Sequence, residues 1–181
     1  TYYHADYSNV FLFTKMVSKN LKHFKPISKF SKDASSGDLA QVVFIENSTI
    51  LGEEHPPSNF QFNQKVIRKN LQALIDGPLW GSSAVFISYD EGGGAWDHVP
   101  PPKACRPDAI LPIKSKKDTS EGQFDRLGFR VPALVISPWA KKHHVSHSTY
   151  DHTSILKFIE TKFNIPALTD RDANADAMLD A

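Results

Sequence analysis

Three short runs of apolar residues predict β-strands, because β-branched and aromatic side chains dominate each of them. The runs extend from Val42 to Glu46, from Ala84 to Glu91 and from Val131 to Pro138. Apolar residues are nearly continuous within each run and do not alternate with polar ones, which is typical of parallel strands covered on both faces. We therefore expect a mostly parallel sheet flanked by helices.

Two further segments repeat apolar residues at helical spacing, and each carries residues that end a helix. The apolar stripe of the first segment comprises Phe62, Val66, Ile67, Leu71, Leu74 and Ile75, followed by Gly77 and Pro78. The second has Asp151 as a candidate N-cap, then a stripe of Ile155, Leu156, Ile159 and Phe163, and ends at Asn164 and Pro166. The alternation of strands and helices predicts an α/β fold, which three strands alone leave incomplete.

Length and charge narrow the possible classes of protein. The 181 residues, 40% of them hydrophobic, suit one globular domain or a large part of one. We treat residues 1–181 as part of a single domain, with residues 1–40 as a lead-in and residues 92–130 as a long excursion between strands.

A net charge of +1 provides no general attraction for nucleic acid. No apolar run reaches the length of a transmembrane helix, and the acidic carboxyl-terminal tail is typical of a loosely packed surface segment.

Two adjacent carboxylates, Asp90 and Glu91, follow the second predicted strand, and three glycines come directly after them. In open α/β sheets ligands bind beyond the carboxyl ends of strands. A divalent cation would remove the repulsion between the two carboxylates, and Asp97 and His98 bring further polar groups to the same area. In the alternative interpretation, Asp90 caps a turn and Glu91 is solvated.

Histidines near other element ends are weaker candidates. His55 follows the first predicted strand, and the two prolines after it restrict the loop, so its imidazole could protonate a leaving oxygen or stabilise phosphate charge. It could equally be a surface histidine in a turn. His152 lies at a predicted helix start, where anions are favoured. The nearby His143, His144 and His147 lack the spacing of a zinc site and are best interpreted as polar surface.

No nucleophile can be identified from the sequence. The chain has no Gly-x-Ser-x-Gly elbow, no phosphate-binding Walker loop and no Gly-x-Gly-x-x-Gly fingerprint. Its single cysteine, Cys105, lies in a proline-rich loop with no evident activating base. These classes of enzyme are therefore set aside.

Several segments together resemble the bacterial phosphoesterase family that includes non-haemolytic phospholipases C and related acid phosphatases. The segments are VVFIE, EEHPP, YDEGGGAWDHVPPP, FDRLGFRVPALVISPWAKK and YDHTSILKFIE, in the order and approximate spacing of that family. They cover about the last three quarters of the chain, and they resemble the carboxyl-terminal half of family members only, so residues 1–181 would be the carboxyl-terminal part of a single catalytic domain. The resemblance implies an alkaline-phosphatase-like fold, mostly parallel and flanked by helices, and metal-dependent hydrolysis of phosphate esters or phospholipids.

The resemblance also implies roles for particular residues. Asp90 and Glu91 would bind one divalent metal ion, whose identity the sequence leaves open, and His55, His98 and His152 would be catalytic. Relatives of this type are typically exported, so a periplasmic or extracellular location is expected by analogy alone.

One part of the family pattern is not recognisable in this chain. Family members open with a Glu-Asn-Arg-Ser-like segment that supplies further metal ligands, followed by a Ser or Thr nucleophile. We therefore expect an amino-terminal half, from the same or another polypeptide, to supply the nucleophile, and the isolated chain to be inactive. The alternative is a non-catalytic subunit that keeps the fold and binds a metal or phosphate.

Overall fold

The structure is a computed structural model that describes residues 1–4, 13–47, 54–118 and 122–181. Its residues group into two compact units, Thr1–Ser83 and Ala84–Ala181. Glu53 of the EEHPP segment lies outside the described residues.

The first unit contains a three-stranded parallel sheet with helices beside it. β1 is the central strand, and its order with its neighbours is β2-β1-β3. The strands are β1 (Tyr2–His4), β2 (Phe24–Pro26) and β3 (Phe44–Ile45), and the helices are α1 (Thr14–Lys19), α2 (Phe30–Ser36) and α3 (Phe60–Ile75). This arrangement confirms the α/β class. It also gives four elements to residues 1–40, where the sequence pattern indicated none.

The core of the first unit is built around Tyr3, which is completely buried. Its ring packs edge-on against Phe30 with centroids 5.2 Å apart. Its hydroxyl donates a 2.7 Å hydrogen bond to the Asp33 carboxylate, which also accepts from the Lys25 ammonium at 2.7 Å. Burial and then the bond to Asp33 raise the pKa of Tyr3 to about 12, whereas the bonds from Lys25 and Tyr3 hold the pKa of Asp33 below its ordinary value.

Helix α3 confirms the first helical prediction, including its end before Gly77. Asn59 caps its start by accepting a hydrogen bond from the Gln61 amide, and the helix stops just before Gly77. A Cβ atom on Gly77 would lie 2.5 Å from the Ala34 carbonyl oxygen, so only glycine lets the chain approach α2 this closely. Of the predicted stripe, Leu74 alone is buried, while Phe62 is exposed.

The second unit pairs two strands, β4 (Val85–Ser88) and β5 (Ala133–Ile136), in antiparallel orientation. Both lie where the sequence predicts strands, but the expectation of parallel pairing is wrong for this pair. A continuous apolar run indicates that a strand is covered but not which way it runs. The described part of the long connection between the two strands contains no crossover helix, and the chain reverses. Coverage is also incomplete, because Leu134 in β5 is 59% exposed.

Helix α4 (His152–Phe163) confirms the second helical prediction. Asp151 caps it by accepting from the Thr153 amide, and the Ser154 hydroxyl accepts from the Asp151 amide, which completes a capping box. The helix contacts β4 through the rings of Phe158 and Phe86, whose centroids are 4.8 Å apart. None of the helices in the described ranges is long and apolar enough to cross a membrane.

The carboxyl-terminal tail is not loosely packed, contrary to the sequence-based expectation. It forms α5 (Asp170–Ala173), in which Asp172 is almost fully buried beside Glu160 of α4. Burial alone would raise the pKa of Asp172, but hydrogen bonds from the Thr169 hydroxyl and the Leu168 amide hold it at about 2. Asp180 accepts bonds from Ser146 and Tyr150 and so fixes the end of the tail. The acidic residues of the tail therefore accept hydrogen bonds at partly buried positions.

The Tyr3 hydroxyl provides a test of this core. The substitution Tyr3→Phe removes this hydroxyl. It should lower the free energy of unfolding by about 1–2 kcal/mol at neutral pH, because the buried Asp33 carboxylate loses a donor. Since the pKa of Asp33 is lowered in the folded state, the contribution of this carboxylate is present above about pH 4 and is lost as the pH falls through its folded-state pKa. The difference between variant and wild type should shrink in the same range.

Urea unfolding at several pH values measures this difference. Tyr2→Phe is the matched control, because its hydroxyl also donates to a carboxylate, that of Glu46, but at a partly buried position. It should cost less than Tyr3→Phe. Equal losses in the two variants, or no loss in Tyr3→Phe, would contradict the assigned core.

Candidate active site

The carboxylates of Asp90 and Glu91 lie in a turn directly after β4, and both are exposed. The Asp90 side chain accepts a 3.1 Å hydrogen bond from the Glu91 amide, and Glu91 accepts a 2.7 Å bond from the Gly93 amide. Asp90 therefore does cap a turn, as the alternative interpretation expected. A carboxylate offers two oxygens, so this local bond is compatible with ligand binding as well.

The glycines set the shape of this turn. Gly93 and Gly94 have φ angles of 62° and 80°, a left-handed conformation that other residues adopt at a cost of about 1–2 kcal/mol each. The chain can therefore fold back immediately after Glu91, and the Gly93 amide reaches the Glu91 carboxylate. The run of glycines is explained by backbone geometry here.

His152 is brought to the same strand end, although it is distant in sequence. It is the first residue of α4, and its Nε2 atom lies 2.7 Å from the carbonyl oxygen of Tyr89, the residue before Asp90. Because a carbonyl can only accept, this bond requires a proton on Nε2. In the neutral ring Nδ1 then has no proton and can accept one. The structure thus brings His152 to the backbone of the residue that precedes Asp90.

Asp97 and Arg130 form the strongest ion pair near this turn. The Arg130 guanidinium donates to both Asp97 oxygens at 2.9 Å, and the Arg130 backbone amide adds a bond of 3.1 Å. The Val99 amide also donates to Asp97. The Arg130 side chain and the Val99 amide hold the pKa of Asp97 well below its ordinary value. Asp97 is therefore a positioning residue that ties the glycine turn to the chain entering β5.

A second set of contacts, in addition to this ion pair, joins the two sides of the 92–130 excursion. Lys103 and Arg126 form an antiparallel bridge. The Ala104 amide donates to the Asp125 carbonyl, and the Leu127 amide donates to the Pro102 carbonyl. The excursion is thus a loop with a paired base.

The other predicted site residues are less constrained. His98 is exposed, and its Nδ1 atom lies 3.8 Å from an Asp97 oxygen, beyond hydrogen-bond distance. His55 belongs to the first unit, where its Nδ1 atom lies 2.7 Å from the Pro56 carbonyl and its own carbonyl accepts from the Ser58 amide. Both catalytic assignments stay predictions. Cys105 is exposed, and its thiol donates to the Asp170 carbonyl.

The chemistry of Asp90 and Glu91 suits a metal ion, but the ligand set is incomplete. Carboxylate oxygens are the donors that hard divalent cations prefer. Within the part of the chain that the structure describes, no three His, Cys, Asp or Glu side chains are grouped closely enough to hold a metal. The residues present therefore fit a divalent cation that takes further ligands from elsewhere.

Comparison with known proteins identifies the class. The phosphoesterase family profile matches residues 1–166. The chain therefore belongs to the phosphoesterase family. The match begins at the first residue, so the resemblance extends beyond the last three quarters of the chain, where the motifs lie.

Individual relatives are named as phospholipases C. The chain is 33% identical to non-specific phospholipase C4 of Arabidopsis thaliana, over 91% of this chain and 33% of the relative. It is 37% identical to non-hemolytic phospholipase C of Burkholderia pseudomallei, over 74% of this chain and 20% of that protein. Plant proteins are thus among the relatives, as well as bacterial ones. The chain spans only a fifth to a third of the length of these relatives.

The Asp97–Arg130 pair provides a test of how the turn is held. Asp97→Asn should release the Arg130 and Val99 amides, and their hydrogen exchange should accelerate by on the order of tenfold. Because the pKa of Asp97 is lowered in the folded state, wild-type protection should persist down to about pH 4 and fall only in stronger acid.

Exchange measured by NMR or mass spectrometry reports this change directly. Asp108→Asn is the matched control, since Asp108 is an exposed aspartate whose side chain accepts from the local Ile110 amide. It should leave the protection of Arg130 and Val99 unchanged. Wild-type protection in Asp97→Asn would refute the positioning role.

Proposed function

We propose that this chain is part of a metal-dependent phosphoric ester hydrolase of the phospholipase C or acid phosphatase type. The observation that carries the proposal is that Asp90 and Glu91 follow β4, and that His152 is bonded to the adjoining Tyr89 carbonyl, in a member of the phosphoesterase family. Carboxylates and imidazole at a strand end are groups that bind a cation and manage phosphate charge. The substrate is a phosphate ester, with phospholipid favoured by the names of the relatives.

The proposal includes a larger enzyme. An amino-terminal half, in the same or another polypeptide, supplies the Ser or Thr nucleophile and completes an alkaline-phosphatase-like sheet. Two observations support this: Leu134 in β5 is 59% exposed, and the chain spans at most about a third of the relatives cited above. An apolar strand side chain is normally covered in a finished sheet. Export to the periplasm or outside the cell is proposed from the family resemblance alone.

In this proposal Asp90 and Glu91 hold one divalent metal ion. The ion would act as a Lewis acid toward a phosphoryl oxygen and the attacking hydroxyl. The Gly93 amide orients the Glu91 carboxylate, and the Asp97–Arg130 pair fixes the far end of the turn. The protein thus positions both carboxylates before substrate arrives, which is what electrostatic preorganisation requires.

The histidines would handle protons and charge. His152 is positioned by its bond to the Tyr89 carbonyl, so its Nδ1 atom is the one that can exchange a proton with substrate. His55 is proposed to neutralise the transferred phosphoryl group or protonate the leaving alcohol, and His98 is proposed as an auxiliary group. The bond between His55 and Pro56 leaves its Nε2 atom for that role.

A non-catalytic subunit is the second candidate. It is favoured by the incomplete ligand set, because the described residues contain no group of three metal-binding side chains. Such a subunit would bind a metal or phosphate without turnover. Turnover by the natural protein distinguishes the two candidates.

Substitution of the carboxylates in the natural protein that contains this chain tests the enzyme proposal. Asp90→Asn and Glu91→Gln should each lower kcat/KM for a chromogenic phosphate mono- or diester by on the order of a hundredfold or more, together with bound metal, because a ligand loses its charge. Removal of metal by a chelator should abolish turnover, and a divalent metal should restore it. Asp108→Asn, an exposed carboxylate change outside the turn, should be neutral. Wild-type activity in both site variants, or no turnover in the wild type, would contradict the proposal.

The chain of residues 1–181 alone should bind phosphate weakly and show no turnover, because the proposed nucleophile lies outside it. Steady-state assay of the purified chain, with and without a co-expressed amino-terminal half, measures this. Activity should appear only with both parts. Metal-dependent turnover by the chain alone would show that the nucleophile lies within it.

A further inference from the structure

The far end of the excursion exposes large aliphatic side chains. Ile110 is 73% exposed, Leu111 is 52% exposed and Ile113 is fully exposed, all within four consecutive positions. Scattered apolar side chains on a surface are ordinary, but three adjacent ones are a feature of surfaces that bind something apolar. We refer to residues 110–117 as the aliphatic-lysine tip.

Positive charge is concentrated beside these side chains. Lys114, Lys116 and Lys117 follow directly and are all exposed. Residues 103–118 contain five basic and two acidic residues, a net charge of +3, whereas the whole chain has a net charge of only +1. Positive charge is therefore concentrated around the tip, while the remaining residues of the chain carry a small net negative charge.

The tip is held in place by hydrogen bonds and is not a free tail. The Ile110 amide donates to the Asp108 side chain at 2.7 Å, and the Asp118 amide donates to the Ser115 carbonyl at 3.1 Å. The Asp170 amide of α5 donates to the Pro107 carbonyl at 2.9 Å and so anchors the near side. The isoleucines are thus presented at low entropic cost.

We propose that the aliphatic-lysine tip docks the protein onto an anionic lipid bilayer. Ile110, Leu111 and Ile113 enter the boundary of the acyl chains, and the lysines contact lipid phosphates. The inference rests on the proposed function, since a phospholipase must reach a substrate embedded in a membrane. Each lysine near an anionic surface strengthens binding roughly fivefold.

The chemistry favours lipid over a protein partner. Lysine is depleted in the buried part of protein interfaces, where its desolvation is costly. Aliphatic side chains bordered by lysines are, in contrast, the pattern of segments that bind at the surface of anionic membranes. Coverage of the tip by another polypeptide is an outcome that the experiment detects.

Vesicle sedimentation of the natural protein tests whether the aliphatic-lysine tip binds lipid. The probes are vesicles of phosphatidylcholine alone and of phosphatidylcholine with phosphatidylserine in equal parts. Lys114→Gln/Lys116→Gln/Lys117→Gln should reduce binding to the anionic vesicles by about a hundredfold, and Ile110→Ser/Ile113→Ser should reduce binding to both vesicles by about tenfold or more. Turnover of a soluble chromogenic substrate should be unchanged in both variants.

A matched control removes the same number of charges elsewhere. Lys65→Gln/Arg68→Gln/Lys69→Gln changes three exposed cations on α3 and should bind vesicles as the wild type does. An equal loss of vesicle binding in this control would mean that the total positive charge, and not the tip, determines binding, which would overturn the proposal. Wild-type binding by both tip variants would overturn it as well.

A label at the tip distinguishes lipid from protein coverage. Ile113→Cys in a Cys105→Ser background, carrying an environment-sensitive fluorophore, should emit as in water without lipid and shift to the blue with anionic vesicles. Blue-shifted emission before lipid is added would mean that protein covers the tip, which overturns the proposal. If the wild type binds vesicles through the tip but hydrolyses no phosphate ester, the proposed function fails while the docking inference stands.

Discussion

The antiparallel pairing of β4 and β5 depends on how the 92–130 excursion is closed, and the Asp97–Arg130 ion pair closes it. Two charge-assisted side-chain bonds and one from the Arg130 backbone amide join residues that are 33 positions apart in sequence. This pair fixes the departure of the chain from the glycine turn and its return to β5. The positions of Asp90 and Glu91, and the loop that projects beyond, follow from that closure.

Helices α3 and α4 were predictable because their signals are local. α3 and α4 have apolar residues at helical spacing, and the Asp151 cap and the stop before Gly77 are contained within a few residues of the helix ends. The direction of β5 relative to β4 was not predictable, because burial patterns do not encode it. β1 and β2, with three residues each, are too short to show any period.

Part of the candidate site was also predictable, because its sequence signals are local. Asp90 and Glu91 are marked by their position after an apolar run and before glycines, and His152 by a helix start. The bond between Arg130 and Asp97 was not predictable, because it joins segments that are distant in sequence. The order of the carboxyl-terminal tail was missed because Asp172 and Asp180 are paired with donors that only the fold brings near.

Under the proposed function, this chain is the metal-binding part of a larger phosphoesterase. The most direct measurement is the mass of the natural protein under native and denaturing conditions, with divalent metal content determined on the same sample. The proposed function predicts a polypeptide or assembly substantially larger than 20.2 kDa with about one metal ion that Asp90→Asn removes. A lone 20.2 kDa species without metal would contradict it.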